Sequence, residues 1–97
     1  MLFNLVGTVH SHLTAEQRHA GLRRRAEWKY PKGVTLVHEC WRSAAPEFVS
    51  TFECDSYEAI MSVQFDWDDF MQVSISPATL PEQGLQIGGK LMAIRKK

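Results

Sequence analysis

The sequence predicts an α+β domain in which a four-stranded antiparallel sheet carries two helices on one face. Three observations lead to this prediction. Apolar residues alternate with period two in four segments, a helix-capping pattern follows the first and the third of them, and the connections are short. The resulting order of strand, helix, strand, strand, helix, strand is that of the ferredoxin-like βαββαβ arrangement.

Length and charge restrict the class of protein. A chain of 97 residues is expected to form one compact domain. Eleven basic and eleven acidic residues cancel, so we expect neither nucleic acid nor a membrane as a partner. The start of the chain lacks the basic segment and cleavage site of a signal peptide, which predicts a cytoplasmic protein.

The first strand and the first helix are predicted from residues 2–30. Period-two alternation in LFNLVGTVH gives an apolar face and a mixed face, which carry Phe3, Leu5 and Val9, and Asn4, Thr8 and His10, respectively. TAEQ is a capping box in which Thr14 and Gln17 exchange hydrogen bonds, so a helix should begin at Ala15. Pro31 and Gly33 should end it. Its expected inward stripe is Ala15, His19, Leu22, Ala26 and Tyr30.

The segments VTLVHECW and EFVSTFEC are predicted to form a hairpin in which Trp41 pairs with Glu47. In this register the face away from the helices carries Thr35, Val37, Glu39 and Trp41 beside Glu53, Thr51, Val49 and Glu47. His38 should face the helices opposite Ser50, as a hydrogen-bonded core residue rather than a catalytic one. Cys40 and Cys54 should lie too far apart for a disulfide, which predicts free thiols.

The last predicted elements are a helix, a strand and a tail. DSYE repeats the capping pattern with Asp55 and Glu58, and the inward ridge of its helix should be Tyr57, Ile60, Val63, Gln64 and Trp67. DFMQVSIS is the fourth strand, with Met71, Val73 and Ile75 toward the helices and Phe70, Gln72 and Ser74 on the other face. Residues 1–79 should form the domain, and residues 80–97 a tail with a short helix or strand.

The uncovered face of the predicted sheet is unusually apolar for a soluble monomer. Its expected apolar residues are Leu2, Val6, Val37, Trp41, Val49 and Phe70. We therefore expect a two-fold homodimer in which two sheets face each other and enclose a cavity.

Several short motifs between residues 31 and 77 point to a family. GV opens the second strand, Trp41 lies near its end, FECD closes the third strand, Trp67 precedes DD, and the fourth strand ends at Pro77. With these features the segment resembles the domain-of-unknown-function family 3303, in the dimeric α/β-barrel superfamily. The resemblance implies the ferredoxin-like fold and the pairing of two chains. It implies no reaction, since the family has none assigned.

The stretch TVHSHLTAEQRH holds three of the four histidines. His10 and His12 alternate onto one side of a strand, as two metal ligands could, but His19 belongs to a helix on the other side of the sheet. We therefore expect no metal site and no cofactor. GLQIGGKL has the spacing of a phosphate-binding loop but places Leu91 where Ser or Thr is required, and the basic run at residues 23–25 is more typical of a solvated helix face than of an RNA site.

A mixture of polar groups and one aromatic wall on the uncovered face is typical of a small-molecule pocket. The predicted ligand-binding residues are Asn4, Thr8, His10, Glu39, Trp41, Glu53, Gln72 and Ser74. The same residues would also suit a polar dimer interface. A homodimer that binds a small organic molecule is the first functional hypothesis.

A small cofactor-independent oxygenase or isomerase is the alternative, since the dimeric α/β-barrel superfamily that the segment resembles includes such enzymes. In this hypothesis Asn4 would hydrogen-bond a substrate oxygen and Trp41 would pack against its ring. His10 or Glu39 would be the catalytic residue that moves the proton, because partial burial can bring either pKa toward neutrality.

Overall fold

A computed structural model describes residues 1–95 of the 97-residue chain. The elements in chain order are β1 (Leu2–Val9), α1 (Ala15–Glu27), β2 (Val34–Trp41), β3 (Phe48–Cys54), α2 (Tyr57–Trp67), β4 (Met71–Pro77) and α3 (Pro81–Arg95). The strands form an antiparallel sheet in the order β2-β3-β1-β4. The ferredoxin-like α+β prediction is therefore confirmed, and α3 is added to it.

The core lies between the sheet and the first two helices. Leu5 and Val73 on the strands are buried, and Phe52 on β3 and Val63 on α2 are completely so. Trp67 closes the end of α2 with its ring perpendicular to that of Phe70, at 5.8 Å between centroids. The predicted alternation of β1 is confirmed, since Leu5 faces this core.

The capping box of α1 is confirmed, with the Thr14 side chain accepting from the backbone N–H of Gln17. The predicted inward stripe of α1 is wrong, because Ala15, His19, Leu22 and Ala26 are all exposed. The inward positions are Gly21, which is buried, and Arg25 and Trp28, which are half-buried. Because neither glycine nor arginine counts as an apolar residue, the hydrophobic pattern assigned the wrong face of α1 to the core.

The start of α2 also differs from the prediction. Ser56, and not Asp55, is the N-cap, and its side chain accepts from the backbone N–H of Ala59. Asp55 instead accepts from the terminal amine of Met1 at 2.8 Å. The inward ridge is Ala59, Val63 and Trp67, at intervals of four residues, whereas Tyr57 and Gln64 are exposed.

The hairpin register is correct at its first pairs and wrong after them. Thr35 pairs with Glu53 and Leu36 with Phe52, as predicted, but a β-bulge follows and His38 pairs with Thr51. The bulge adds one residue to β2, which reverses the faces of all later residues. Trp41 consequently pairs with Phe48 rather than Glu47.

Phe70 is a second correction to the assignment of faces. It precedes β4 rather than lying on its uncovered face, and it is buried against α1. A methyl group at Gly21 would overlap the Phe70 ring and lie 2.8 Å from its Cζ. Glycine is therefore required where α1 approaches this ring.

Helix α3 extends away from the other elements. None of its residues 81–95 is buried, and the molecule measures 58 × 29 × 18 Å. Over residues 1–95, the helices lack the combination of length and apolar character needed to cross a bilayer.

Candidate ligand-binding groove beside Trp41

The predicted ligand-binding residues are divided between the two faces of the sheet. Asn4, Thr8, Glu53, Gln72 and Ser74 remain on the uncovered face, where Asn4 donates to the Ser50 carbonyl and to Thr51 Oγ1, each at 3.3 Å. Glu39 and Trp41 lie on the helix face, because the bulge turns them there.

This division bears directly on the enzyme hypothesis. Asn4 lies on the opposite side of the sheet from Glu39 and Trp41, so the structure does not bring together the residues that the oxygenase or isomerase would need. His10 lies beyond the end of β1, with its Nε2 2.7 Å from the Asp68 carbonyl oxygen.

The neighbouring histidines give no converging ligand set. His10 stacks on His12 with ring centroids 5.3 Å apart, whereas His19 is exposed on α1. Among residues 1–95, His, Cys, Asp and Glu side chains form no group of three that could hold a metal ion. His38 was predicted in the core but is exposed, with Nε2 2.9 Å from Cys40 Sγ.

Glu39 is the centre of a polar cluster between β2 and α1. Arg25 donates to both of its oxygens, from Nη2 at 2.8 Å and from Nε at 3.2 Å. The Tyr30 hydroxyl donates at 2.6 Å and Trp41 Nε1 at 2.7 Å. Four donors thus fix this carboxylate, and through it the indole ring of Trp41.

The same contacts determine the protonation of the cluster. Burial alone would raise the pKa of Glu39, but the hydrogen bonds from Arg25, Tyr30 and Trp41 outweigh it and hold that pKa below its usual value. Burial and the hydrogen bond to Glu39 raise the pKa of Tyr30 to about 12. Glu39 is therefore a fixed anion rather than a proton acceptor poised near neutral pH.

A small cavity of about 30 Å³ adjoins the cluster, and its lining includes Arg25, Tyr30, Glu39 and Ser50. Ser50 is buried, and its hydroxyl has no hydrogen-bond partner within the described part of the chain. A space of this size suits about one water molecule and is too small for an organic compound. The cavity is therefore not the main candidate for a ligand site.

A larger groove opens on the other side of Phe48. It has a volume of about 340 Å³, which is within the range of small-molecule sites at ~300–1,000 Å³. We call it the Trp41 groove, and its lining residues are Val9, Arg18, Leu22, Trp41, Arg42, Glu47, Phe48 and Phe70. It lies between the first two turns of α1 and the end of the β2–β3 hairpin.

The walls of the Trp41 groove are aromatic. The Trp41 ring meets Phe48 edge-on at 5.5 Å between centroids, and Phe48 meets Phe70 in the same way at 6.0 Å. Trp41 is 55% exposed, although its indole N–H is held by Glu39. A large aromatic surface is thus both open to solvent and fixed in position.

Two arginines supply positive charge at the Trp41 groove. In the part of the chain that the structure describes, neither Arg18 nor Arg42 forms a salt bridge. Among residues 1–95 the Arg42 guanidinium makes only a 3.5 Å contact, from Nη1 to the Pro46 carbonyl. Glu47, the acidic lining residue, accepts from the Val9 backbone N–H at 3.1 Å.

A second hollow of similar size, about 340 Å³, lies along Gly21 and Arg24 of α1. Its arginine is already occupied, because Arg24 forms a bidentate pair with Asp69 at 3.0 and 3.1 Å. This pair holds the pKa of Asp69 below its usual value. The Trp41 groove is therefore the better candidate for an anionic ligand.

The comparisons with known proteins identify a family. The family model described as Domain of unknown function (DUF3303) matches residues 1–92. The chain belongs to this family. The DUF3303 match extends beyond residues 31–77, in which the sequence motifs were found, to β1, α1 and most of α3. No curated protein and no solved structure matches the chain.

Sequence reasoning missed most of the Trp41 groove. Arg18, Arg42 and Phe48 were not among the predicted ligand-binding residues. The basic run at residues 23–25 did contain one signal for the Glu39 cluster. Arg25 follows Gly21 by four residues on α1, so the two residues lie on the same face of the helix. A bulge in β2, however, has no marker such as glycine in VTLVHECW.

Proposed function

We propose that this protein is a homodimer that binds a small organic anion with a flat apolar body in the Trp41 groove. The observation that carries the proposal is an open aromatic wall next to arginines that have no salt-bridge partner among residues 1–95. Ligand pockets typically combine apolar walls with a few placed polar groups.

The chemistry of the walls selects the ligand class. Aromatic rings prefer edge-on or offset contact with a second ring, which Trp41 and Phe48 offer. Guanidinium groups bind carboxylates through charge-assisted hydrogen bonds, each worth ~1.5–3 kcal/mol. An aromatic or polycyclic carboxylate satisfies both requirements, whereas its neutral amide satisfies only the first.

Naphthoate and naphthamide are a matched pair of probes for this proposal. In calorimetric titration we expect naphthoate to bind more tightly than naphthamide by roughly tenfold or more, the value of one charge-assisted hydrogen bond. Arg42→Gln should remove most of that difference, and Trp41→Leu should weaken both probes. Arg23→Gln, at an exposed position on α1 outside the groove lining, is the control and should change neither. Equal affinity for the two probes would refute the proposed ligand class.

The uncovered face of the sheet supports the homodimer part of the proposal. No described helix covers the face that carries Asn4, Val6 and Val49, and Val6 pairs with Val49 at its centre. This face is less apolar than the sequence predicted, because Trp41 and Phe70 lie elsewhere. A second copy would cover the two valines and satisfy the polar groups around them.

Sedimentation velocity tests the homodimer. Wild-type protein should sediment as a dimer, and Val49→Lys should shift it toward monomer because the new charge would have to be buried at the interface. Ala26→Lys, at an exposed position of α1, should leave the dimer unchanged. A wild-type protein that sediments as a monomer at micromolar concentration would refute the homodimer.

A further inference from the structure

Helix α3 is a feature of the fold that the Trp41 groove does not use. None of the described residues of this helix is buried, although it carries exposed apolar side chains at Leu85, Ile87, Leu91, Met92 and Ile94. An isolated helix of ~12–15 residues is marginal in water, and each internal glycine costs a further ~1 kcal/mol. With three glycines in its 15 residues, α3 needs a packing partner.

Three of the five exposed apolar residues of α3 share one side of the helix, whereas Leu85 and Met92 lie on the opposite side. Ile87, Leu91 and Ile94 follow the i, i+4, i+7 spacing that aligns side chains along one face. Lys90 lies beside this row, and Arg95 lies at its end. The surface that α3 offers is therefore an apolar stripe with a basic margin.

The outer face of α2 has the complementary character. Tyr57, Met61 and Phe65 are spaced by four residues and are exposed by 76, 39 and 70%. Together with Asp68 they line a shallow groove of about 160 Å³. Glu58 adds a second acidic group at the start of the helix. This surface is an apolar stripe with an acidic margin.

The charge of the whole chain is divided in the same way. The side chains of residues 81–97 carry a net charge of +3, and those of residues 1–80 carry −3. Within one chain α3 makes no extensive contact with α2 or with the other described elements. Its 15 residues have a length of ~22 Å, a large part of the 58 Å long dimension.

We propose that α3 of one copy packs on the outer face of α2 in a second copy, and that the contact is reciprocal. This inference rests on the proposed homodimer and identifies an additional contact within it. A reciprocal exchange is closed by two-fold symmetry and does not propagate into a fibre. Lys90 and Arg95 meet Glu58 and Asp68, so that the charged margins set the orientation of the two helices.

Hydrogen exchange of the α3 amides combined with a charge swap tests this contact. In concentrated wild-type protein these amides should exchange about tenfold or more slowly than in the protein diluted to monomer. Lys90→Glu with Arg95→Glu places acid against acid, and Glu58→Lys with Asp68→Lys places base against base. Each double variant alone should lose the protection, and an equal mixture of the two should regain it.

The control separates this specific contact from general attraction between oppositely charged proteins. Lys29→Glu with Lys32→Glu changes the charge equally at exposed positions before β2. This control should keep α3 protected by itself. In a mixed dimer with the Glu58→Lys, Asp68→Lys protein its own α3 would meet the new lysines, so at most one of the two α3 helices should be protected, whereas the mixture of the two charge-swap variants should protect both.

Four results would overturn the contact. The first is α3 protection that survives Glu58→Lys with Asp68→Lys, because α3 would then cover a different surface. The second is a mixture of the charge-swap variants that stays unprotected. The third is a wild-type dimer by sedimentation with unprotected α3, which would leave the homodimer in place and remove only the exchange of helices. The fourth is a wild-type monomer with unprotected α3, which would refute both the homodimer and the exchange of helices.

Discussion

Replacement of Glu39 by glutamine is the sharpest test of the polar cluster that holds Trp41. The Arg25–Glu39 pair is largely shielded, with side chains 23% and 14% exposed. Exposed ion pairs contribute ~0–1 kcal/mol, and breaking a buried pair costs ~3–5 kcal/mol, so we expect a loss of about 2–3 kcal/mol for this intermediate case. For a domain of this size the loss corresponds to a fall in Tm of roughly 10–20 °C.

The matched control for Glu39→Gln is Asp69→Asn, which breaks the Arg24–Asp69 pair. Its side chains are 40% and 69% exposed, so the expected loss is below about 1 kcal/mol. Both variants would be measured by urea unfolding followed by circular dichroism. Equal losses would refute the conclusion that the Glu39 cluster differs from a surface ion pair.

The effect of Glu39→Gln should also depend on pH. The pKa of Glu39 is lower in the folded protein than its ordinary value of 4.5, so the carboxylate stabilises the fold above that pH. This stabilisation is lost as the pH falls through the folded-state pKa. The difference between wild type and Glu39→Gln should therefore be complete at neutral pH and shrink in acid, and a difference that stays constant down to the acid transition would contradict the assigned cause.

Two further predictions concern α1 and Tyr30. Gly21→Ala should destabilise the protein by ~1–3 kcal/mol, because overlap with Phe70 outweighs the better helix propensity of alanine. Gly89→Ala is the control and should not destabilise it, since a Cβ at Gly89 has no neighbour within 4 Å. A stabilised Gly21→Ala protein in urea unfolding would show that α1 packs differently. The pKa of Tyr30 is raised from 10.0 to about 12. Its contribution to folding stability is therefore fully present below pH 10 and is lost as the pH rises to 12. The expected loss is ~1–2 kcal/mol after allowance for partial exposure. Tyr30→Phe should lack this decline, and an identical alkaline profile for both proteins would exclude the titration of Tyr30 as its cause.

The fold was predictable because strand and helix periods depend on neighbouring residues. The capping box at Thr14 and the alternation around Leu5 needed no tertiary information. The phase of α1 did need it, since a buried glycine against Phe70 and a half-buried Arg25 are defined by what they contact. For α3 the sequence left helix and strand open, because its three glycines disfavour a helix and only part of its apolar residues share one face.

The candidate site was predicted only in part, and one residue explains most of the difference. Val37 forms the extra position of the β2 bulge, and nothing in its local sequence marks it. Glu39 and Trp41 were correctly grouped together but assigned to the wrong face, because a shift of one residue reverses every later side chain. The arginines of the groove come from α1 and the hairpin turn, which only the tertiary structure brings together.

We propose that the ligand binds in the Trp41 groove rather than in the core. A heteronuclear NMR titration with naphthoate tests this most directly, because each of the three tryptophans gives its own indole N–H signal. Trp28 and Trp67 line the small cavity beside Glu39, while Trp41 lines the groove. We predict a saturable shift that is largest at Trp41, small at Trp28 and Trp67, and much weaker with naphthamide. Shifts at Trp28 and Trp67 without one at Trp41, or equal responses to the two probes, would contradict the account.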